Sequence, residues 1–258
     1  MNPVDRANGF WPKAVIRPLA IWAIVLLAPP SYAGQFSVSP IRIDLDRKSR
    51  SDSITISNDE TARTIQMRAK LVEWTQDPAG NDVYRDSDDL IFFPRIFSIQ
   101  KQEQQVIRLG WKAPPGATEK SYRLFLEELP QSAGGDAKPA QVLFLVRFGV
   151  PVFVRPDTEN FAGAIAALQA TENGISVSVR NSGNQNFQIQ SLLIRSGHGY
   201  EKEIVGGYVL AVSTKVISTA ISYEVCTKLN RIDVVLKTDR IGTIERSFDW
   251  NPTDCVGK

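Results

Sequence analysis

An all-β chain of two β-sandwiches in series is the fold class this sequence predicts, on three observations. Short apolar–polar alternations bounded by turn residues recur roughly every 10 to 15 residues. Helical periodicity is almost absent, and the polar segment Asp157 to Asn160 divides the alternations into two runs. The second run, of about 100 residues, is one sandwich's worth.

The chain opens on a segment set apart from both runs. Arg6, Lys13 and Arg17 precede an apolar run from Leu19 to Ala28, and Ser31-Tyr32-Ala33 places small residues at a signal-peptidase site. Residues 1–33 therefore read as a secretory signal cleaved after Ala33. A membrane anchor is the alternative, but the run closes at Pro29-Pro30, short of the roughly 20 residues a spanning helix needs. No stable membrane insertion is expected. The formal net charge of +2 comes from those basic residues set against Asp5, so the remainder is neutral and suggests no nucleic-acid partner.

Phe36 and Val38 share one parity while Ile41, Ile43 and Leu45 share the other, with Pro40 at the change of phase. A first strand that bends or changes sheet gives this pattern. Ile54 and Ile56 form a second strand before Asn58-Asp59. Ile65, Met67, Ala69 and Leu71 alternate in a third, with Trp74 on the opposite parity. Residues 77–82 carry turn chemistry, and Asp86, Asp88 and Asp89 follow in a charged loop without the glycine and distal glutamate of a calcium loop. Further strands fall at Leu90 to Phe93, Ile96 to Ile99, Val106 to Trp111 and Tyr122 to Leu129. After Asn160 they resume at Ile175 to Val179, Phe187 to Ile194, Tyr208 to Leu210, Ile232 to Leu236 and Ile244 to Phe248.

The last strand of the first run, Gln141 to Pro156, has a fully apolar even face from Val142 through Phe144, Val146 and Phe148 to Val150. Its odd face is broken at Arg147, Gly149 and Pro151, and the proline favours an edge or a bulge. Two readings stay open on these residues alone. The strand is either buried on both faces, or an edge held ready for a partner's strand.

Catalytic chemistry is missing from the inventory. The single histidine, His198, lies between Gly197 and Gly199 with no nucleophile motif beside it. No phosphate-binding glycine loop, metal-spaced cluster or GxSxG is present, so neither an enzyme nor a cofactor is expected. Cys226 and Cys255 are candidates for one disulfide in an oxidising compartment, with two unpaired thiols as the alternative.

Several motifs occur in a recognisable order: Pro40-Ile41-Arg42-Ile43, then Ile54 through Ser57-Asn58 to Trp74, Phe93-Pro94-Arg95-Ile96-Phe97, Gln105 to Leu109, and Tyr122 to Pro130. Val179 to Asn184 and Gly207 to Leu210 add weaker matches. The series resembles the PapD-like periplasmic chaperones of the chaperone-usher pathway, and Phe148 to Phe153 is similar to their archaic branch. The resemblance implies two immunoglobulin-like domains, 34–156 and 157–258, after the signal peptide. It also implies a periplasmic chaperone that lends Val142, Phe144, Val146 and Phe148 to pilus or fimbrial subunits by strand addition and delivers them to an outer-membrane usher. Self-association of the free protein stays open. Arg42 matches the arginine that binds a subunit's terminal carboxylate. The family's last-strand lysine falls at Pro151, leaving Arg147 and Arg108 to stand in, or to serve only structurally. The alternative function is a secreted structural or adhesive subunit, but such subunits carry an amino-terminal donor extension, whereas the first strand here begins at Phe36.

Overall fold

The computed structural model describes residues 36–255 apart from 62, 131–144, 173 and 198. The signal-peptide reading, Val142, Phe144 and His198 lie outside the described residues. Ten strands build the first sandwich: β1 (Phe36–Ser39), β2 (Ile43–Leu45), β3 (Ser51–Asn58), β4 (Ile65–Gln76), β5 (Asp82–Asp86), β6 (Leu90–Phe93), β7 (Ile96–Ile99), β8 (Gln104–Trp111), β9 (Lys120–Glu128) and β10 (Arg147–Val154). One sheet runs β1-β3-β8-β6, and the other runs β2-β10-β9-β4-β5 with β7 also on β4. The parity switch at Pro40 is therefore a change of sheet: β1 pairs β3, while β2 runs parallel to β10.

Alternation explains the core. Ile54 and Ile56 of β3, Met67, Ala69 and Leu71 of β4, Leu124 and Leu126 of β9, and Val150 and Val152 of β10 meet between the sheets. In β4 the buried parity changes after Leu71, because Val72 and Trp74 are buried on the other face of the sheet. That is why Trp74 breaks the pattern of its own strand.

The second sandwich holds β11 (Gly163–Thr171), β12 (Gly174–Asn181), β13 (Phe187–Arg195), β14 (Glu201–Ile204), β15 (Tyr208–Val209), β16 (Thr214–Ala220), a one-turn helix α1 (Tyr223–Cys226), β17 (Arg231–Thr238) and β18 (Thr243–Asp249). Its sheets are β11-β12-β16 and β14-β13-β17-β18, with β15 on β13. Val177, Val179, Phe187, Ile194 and Val234 form its centre. Asn181 clamps one end by donating from Nδ2 to the carbonyls of Gln185, Val209 and Leu210. Cys226 and Cys255 are joined across a Cα separation of 5.9 Å.

Four strands go beyond the sequence reading: β5, β11, β14 and β16. Residues 82–86 pair with β4 instead of continuing the loop. Asp89 accepts from Lys120 Nζ at 2.8 Å and Tyr122 Oη at 2.7 Å. That binding holds its carboxyl below the usual range. No cluster of metal-ligating side chains occurs among the described residues.

Candidate functional site

The strand β10 changes environment along its length. Its even side chains Val150, Val152 and Val154 are buried in the first core, and Phe148 is half-buried against it. Val146, two residues earlier, is 40% exposed. The same apolar face thus leaves its own core at Val146. Hydrogen bonding changes further along the strand, on the C-terminal side of Val150. β9 flanks all of β10, whereas β2 pairs only from Val152 to Val154. Pro151 sits at that transition, so the expected edge position describes the amino-terminal half of the strand alone.

The odd face of β10 looks away from the core. Phe153 joins Trp74, Leu210 and Tyr208 in a small cluster between the sandwiches. Trp74 lies 6.1 Å from Phe153 and 5.6 Å from Tyr208, edge-on to the latter. Gln76 fastens this junction. Its Nε2 donates to the Tyr208 carbonyl at 2.9 Å, and its Oε1 accepts from Leu210 N at 3.0 Å and Ser213 Oγ at 2.8 Å. Gln76→Ala takes this partner from the Tyr208 carbonyl and the Leu210 N–H, while Ser213 Oγ keeps its bond to the Leu210 carbonyl, and is expected to cost about 1–3 kcal/mol, measured by urea unfolding.

Arg42 stands on this aromatic platform, its guanidinium carbon 4.6 Å from the Phe153 ring centre and 5.7 Å from that of Tyr208. Nε and Nη2 each donate to Asp44 at 2.9 Å. Arg155 holds the same carboxylate through Nη2 at 2.9 Å, so the cluster keeps one net positive charge. Burial opposes the charge on Arg42, but Asp44 holds its pKa above the ordinary arginine value. A planar fork fixed on one edge by Asp44, with Tyr208 as its other polar neighbour, keeps N–H donors beyond those bonds to offer a carboxylate.

The other two candidate cations lie elsewhere. Arg147 pairs with Glu127 at 2.9 Å and covers the Phe125 ring at 3.7 Å. It is four residues from Pro151, roughly 13 Å along the strand. Arg108 belongs to β8 in the opposite sheet, in a shallow groove with Arg50, Phe93 and Trp111. The structure does not bring either one to Arg42.

A different arginine lies across from Pro151. Arg123 of β9 is the direct cross-strand neighbour of Pro151, and its guanidinium carbon lies 3.9 Å over the Trp74 ring. Alternation along Tyr122-Arg123-Leu124 already turns Arg123 outward, but only the β9–β10 register sets it beside Pro151.

Glu119, just before β9, is buried at the same junction. Oε1 accepts from Asn186 N at 3.0 Å and Nδ2 at 2.7 Å, while Oε2 has no partner among the described residues. Burial pushes its carboxyl up to about 7, against the pull of Asn186 and Arg42.

Comparison with known proteins bears on the fold that positions these residues. Residues 35–159 match the family described as "Pili and flagellar-assembly chaperone, PapD N-terminal domain". No curated protein matches the sequence significantly. Among solved structures, a chain of the CsuC–CsuE chaperone–tip adhesion subunit pre-assembly complex, from the archaic chaperone-usher Csu pili of Acinetobacter baumannii, is 19% identical with a TM-score of 0.59, covering 82% of this chain and 97% of that one. A chain of the Salmonella enterica SafA pilin–SafB chaperone complex is 15% identical with a TM-score of 0.54, covering 85% and 98%. The CupB2 chaperone of Pseudomonas aeruginosa is 15% identical with a TM-score of 0.51, covering 83% and 100%. These identities establish a shared fold. The matched proteins are chaperones and not enzymes. Residues 35–159 of this chain match the PapD N-terminal domain family, and the described residues have the two-sandwich immunoglobulin-like fold of the solved pilus-chaperone structures.

Proposed function

We propose that this protein is a periplasmic chaperone that binds pilus subunits by donor-strand complementation and passes them to an outer-membrane usher. The observation that carries the reading is the course of β10, whose edge is no longer covered by β2 before Val152 and whose apolar face leaves its own core at Val146. A strand with one free edge and an apolar face can complete a partner's sheet, main-chain bonds giving affinity and side chains in pockets giving register. Val142, Phe144 and Val146 are the donor residues in this reading. Phe148 shares their face but already packs on its own core, so its part is to set where the donated segment begins. Arg42, fixed by Asp44 and Arg155 at the base of that strand, receives the subunit's terminal carboxylate. Burying the donor side chains is worth roughly 1.5–3 kcal/mol each before ordering costs.

The test is co-production of the exported chain with pilus subunits encoded beside its gene. Wild type is expected to yield a soluble one-to-one complex, and the double variant Val142→Asp, Phe144→Asp none. Co-purification at wild-type yield with the double variant overturns the donor-strand assignment.

A further inference from the structure

We propose that Arg123 supplies the second cation of the carboxylate anchor, from the strand beside the one on which the family's lysine is expected. The inference rests on the chaperone reading above and adds a residue to its anchoring site. Pro151 occupies the lysine's place and carries no charge. The β10 registers put Arg123 directly across from Pro151 on one side. On the other side, one residue beyond the ladder that pairs Val152 with Ile43, lies Arg42. Arg42, Pro151 and Arg123 therefore form one row across three adjacent strands, on the face that turns away from the first core. The two arginine Cα atoms are about 10 Å apart, two strand spacings, a gap that two long side chains span over the uncharged proline.

Each head rests on an aromatic ring of the same junction cluster. Arg42 covers Phe153 and Arg123 covers Trp74, and those ring centres are 6.1 Å apart. The bonding of Arg123 is also incomplete. Nη1 donates to the Gly149 carbonyl at 3.3 Å, the Tyr84 hydroxyl is another polar neighbour, and the buried Nε has no acceptor among the described residues. Among the described residues Arg123 has no carboxylate partner, whereas Arg42 has Asp44 and Arg147 has Glu127. A partly buried guanidinium without a counter-ion is an anion site in waiting. Gly149 keeps the space open: a Cβ there would lie 3.1 Å from Phe125 Cε1 and 3.4 Å from Arg123 Cδ.

The experiment uses the exported chain co-produced with a pilus subunit encoded beside its gene, in two forms. One form has its native C-terminus; the other is extended by two glycines, which moves the terminal carboxylate away. Arg123→Gln is expected to weaken capture of the native form roughly 10- to 100-fold, the loss of hydrogen bonds to a charged group. It should add nothing to the defect of the extended form, and Arg123→Lys should restore part of the loss. Thermal melting of each variant without subunit separates folding from binding. Native-form capture by Arg123→Gln at the wild-type level, with Arg42→Gln defective, overturns the Arg123 assignment and leaves the chaperone reading standing. Equal weakening of native and extended forms by Arg123→Gln also overturns it, since that marks a purely structural role. Failure of the wild-type chain to capture either form overturns the chaperone reading itself.

Discussion

Trp74→Ala is expected to lower the free energy of unfolding by about 3–5 kcal/mol, read by urea denaturation followed through the remaining tryptophans. Trp74 is 2% exposed and Phe153 is fully buried, yet neither belongs to the core of either sandwich. Their contacts are with each other, Leu210 and Tyr208. Removing the indole therefore empties the contact between the sandwiches and takes no volume from their interiors. Arg123 loses the ring it covers, and Arg42 loses support beneath Phe153. The same variant should thus bind subunit more weakly than its stability alone dictates. Trp74→Phe keeps an aromatic surface and is expected to recover most of the stability. A loss below about 1 kcal/mol for the alanine variant would mean that the junction contributes little to the fold.

What the sequence discloses of this protein follows what its side chains bury. Strands with one apolar face against a core, such as Ile54–Ile56, Met67–Leu71 and Leu124–Leu126, are legible because period-two alternation reports their burial. The strands that escaped bury little. β14, with the sequence Glu-Lys-Glu-Ile, has three exposed residues and one half-buried. β5 is exposed but for one half-buried valine. Their partners and not their own residues make them strands. β11 was hidden differently, because its register against β12 shifts between Ile165 and Ala167 and the alternation breaks there. The site divides along the same line. Arg42 is legible from its motif, and the emerging face of β10 from alternation. Arg123 depends on register between two strands, and no pattern within either strand encodes it. Glu119 depends on the second sandwich meeting the first, through Asn186.

Glu119 also sets a pH dependence with a definite sign. Its folded-state carboxyl is raised from 4.5 to about 7, chiefly by burial. A carboxyl raised on folding binds its proton more tightly in the native state. Its contribution to stability is therefore fully present below pH 4.5, falls as pH rises toward 7, and is flat beyond. The loss across that window is roughly 3 kcal/mol. Asp46, Asp77, Asp89 and Asp233 have the opposite shift, below 3.8. Their stabilisation is lost only as pH falls through that lower range, so the two effects occupy separate windows. Glu119→Gln keeps an acceptor for Asn186 and removes the charge. It is expected to match wild type near pH 4.5 and to exceed its stability at pH 8 by a few kcal/mol, measured by urea unfolding at each pH. Because Arg42 draws the Glu119 pKa downward, a carboxylate bound at Arg42 should raise it again. Subunit capture should then take up protons near neutral pH, an uptake measurable by calorimetry in two buffers of different ionisation heat and absent from Glu119→Gln. Wild-type and Glu119→Gln stability curves that run parallel from pH 5 to 8 would show that this carboxyl does not titrate there.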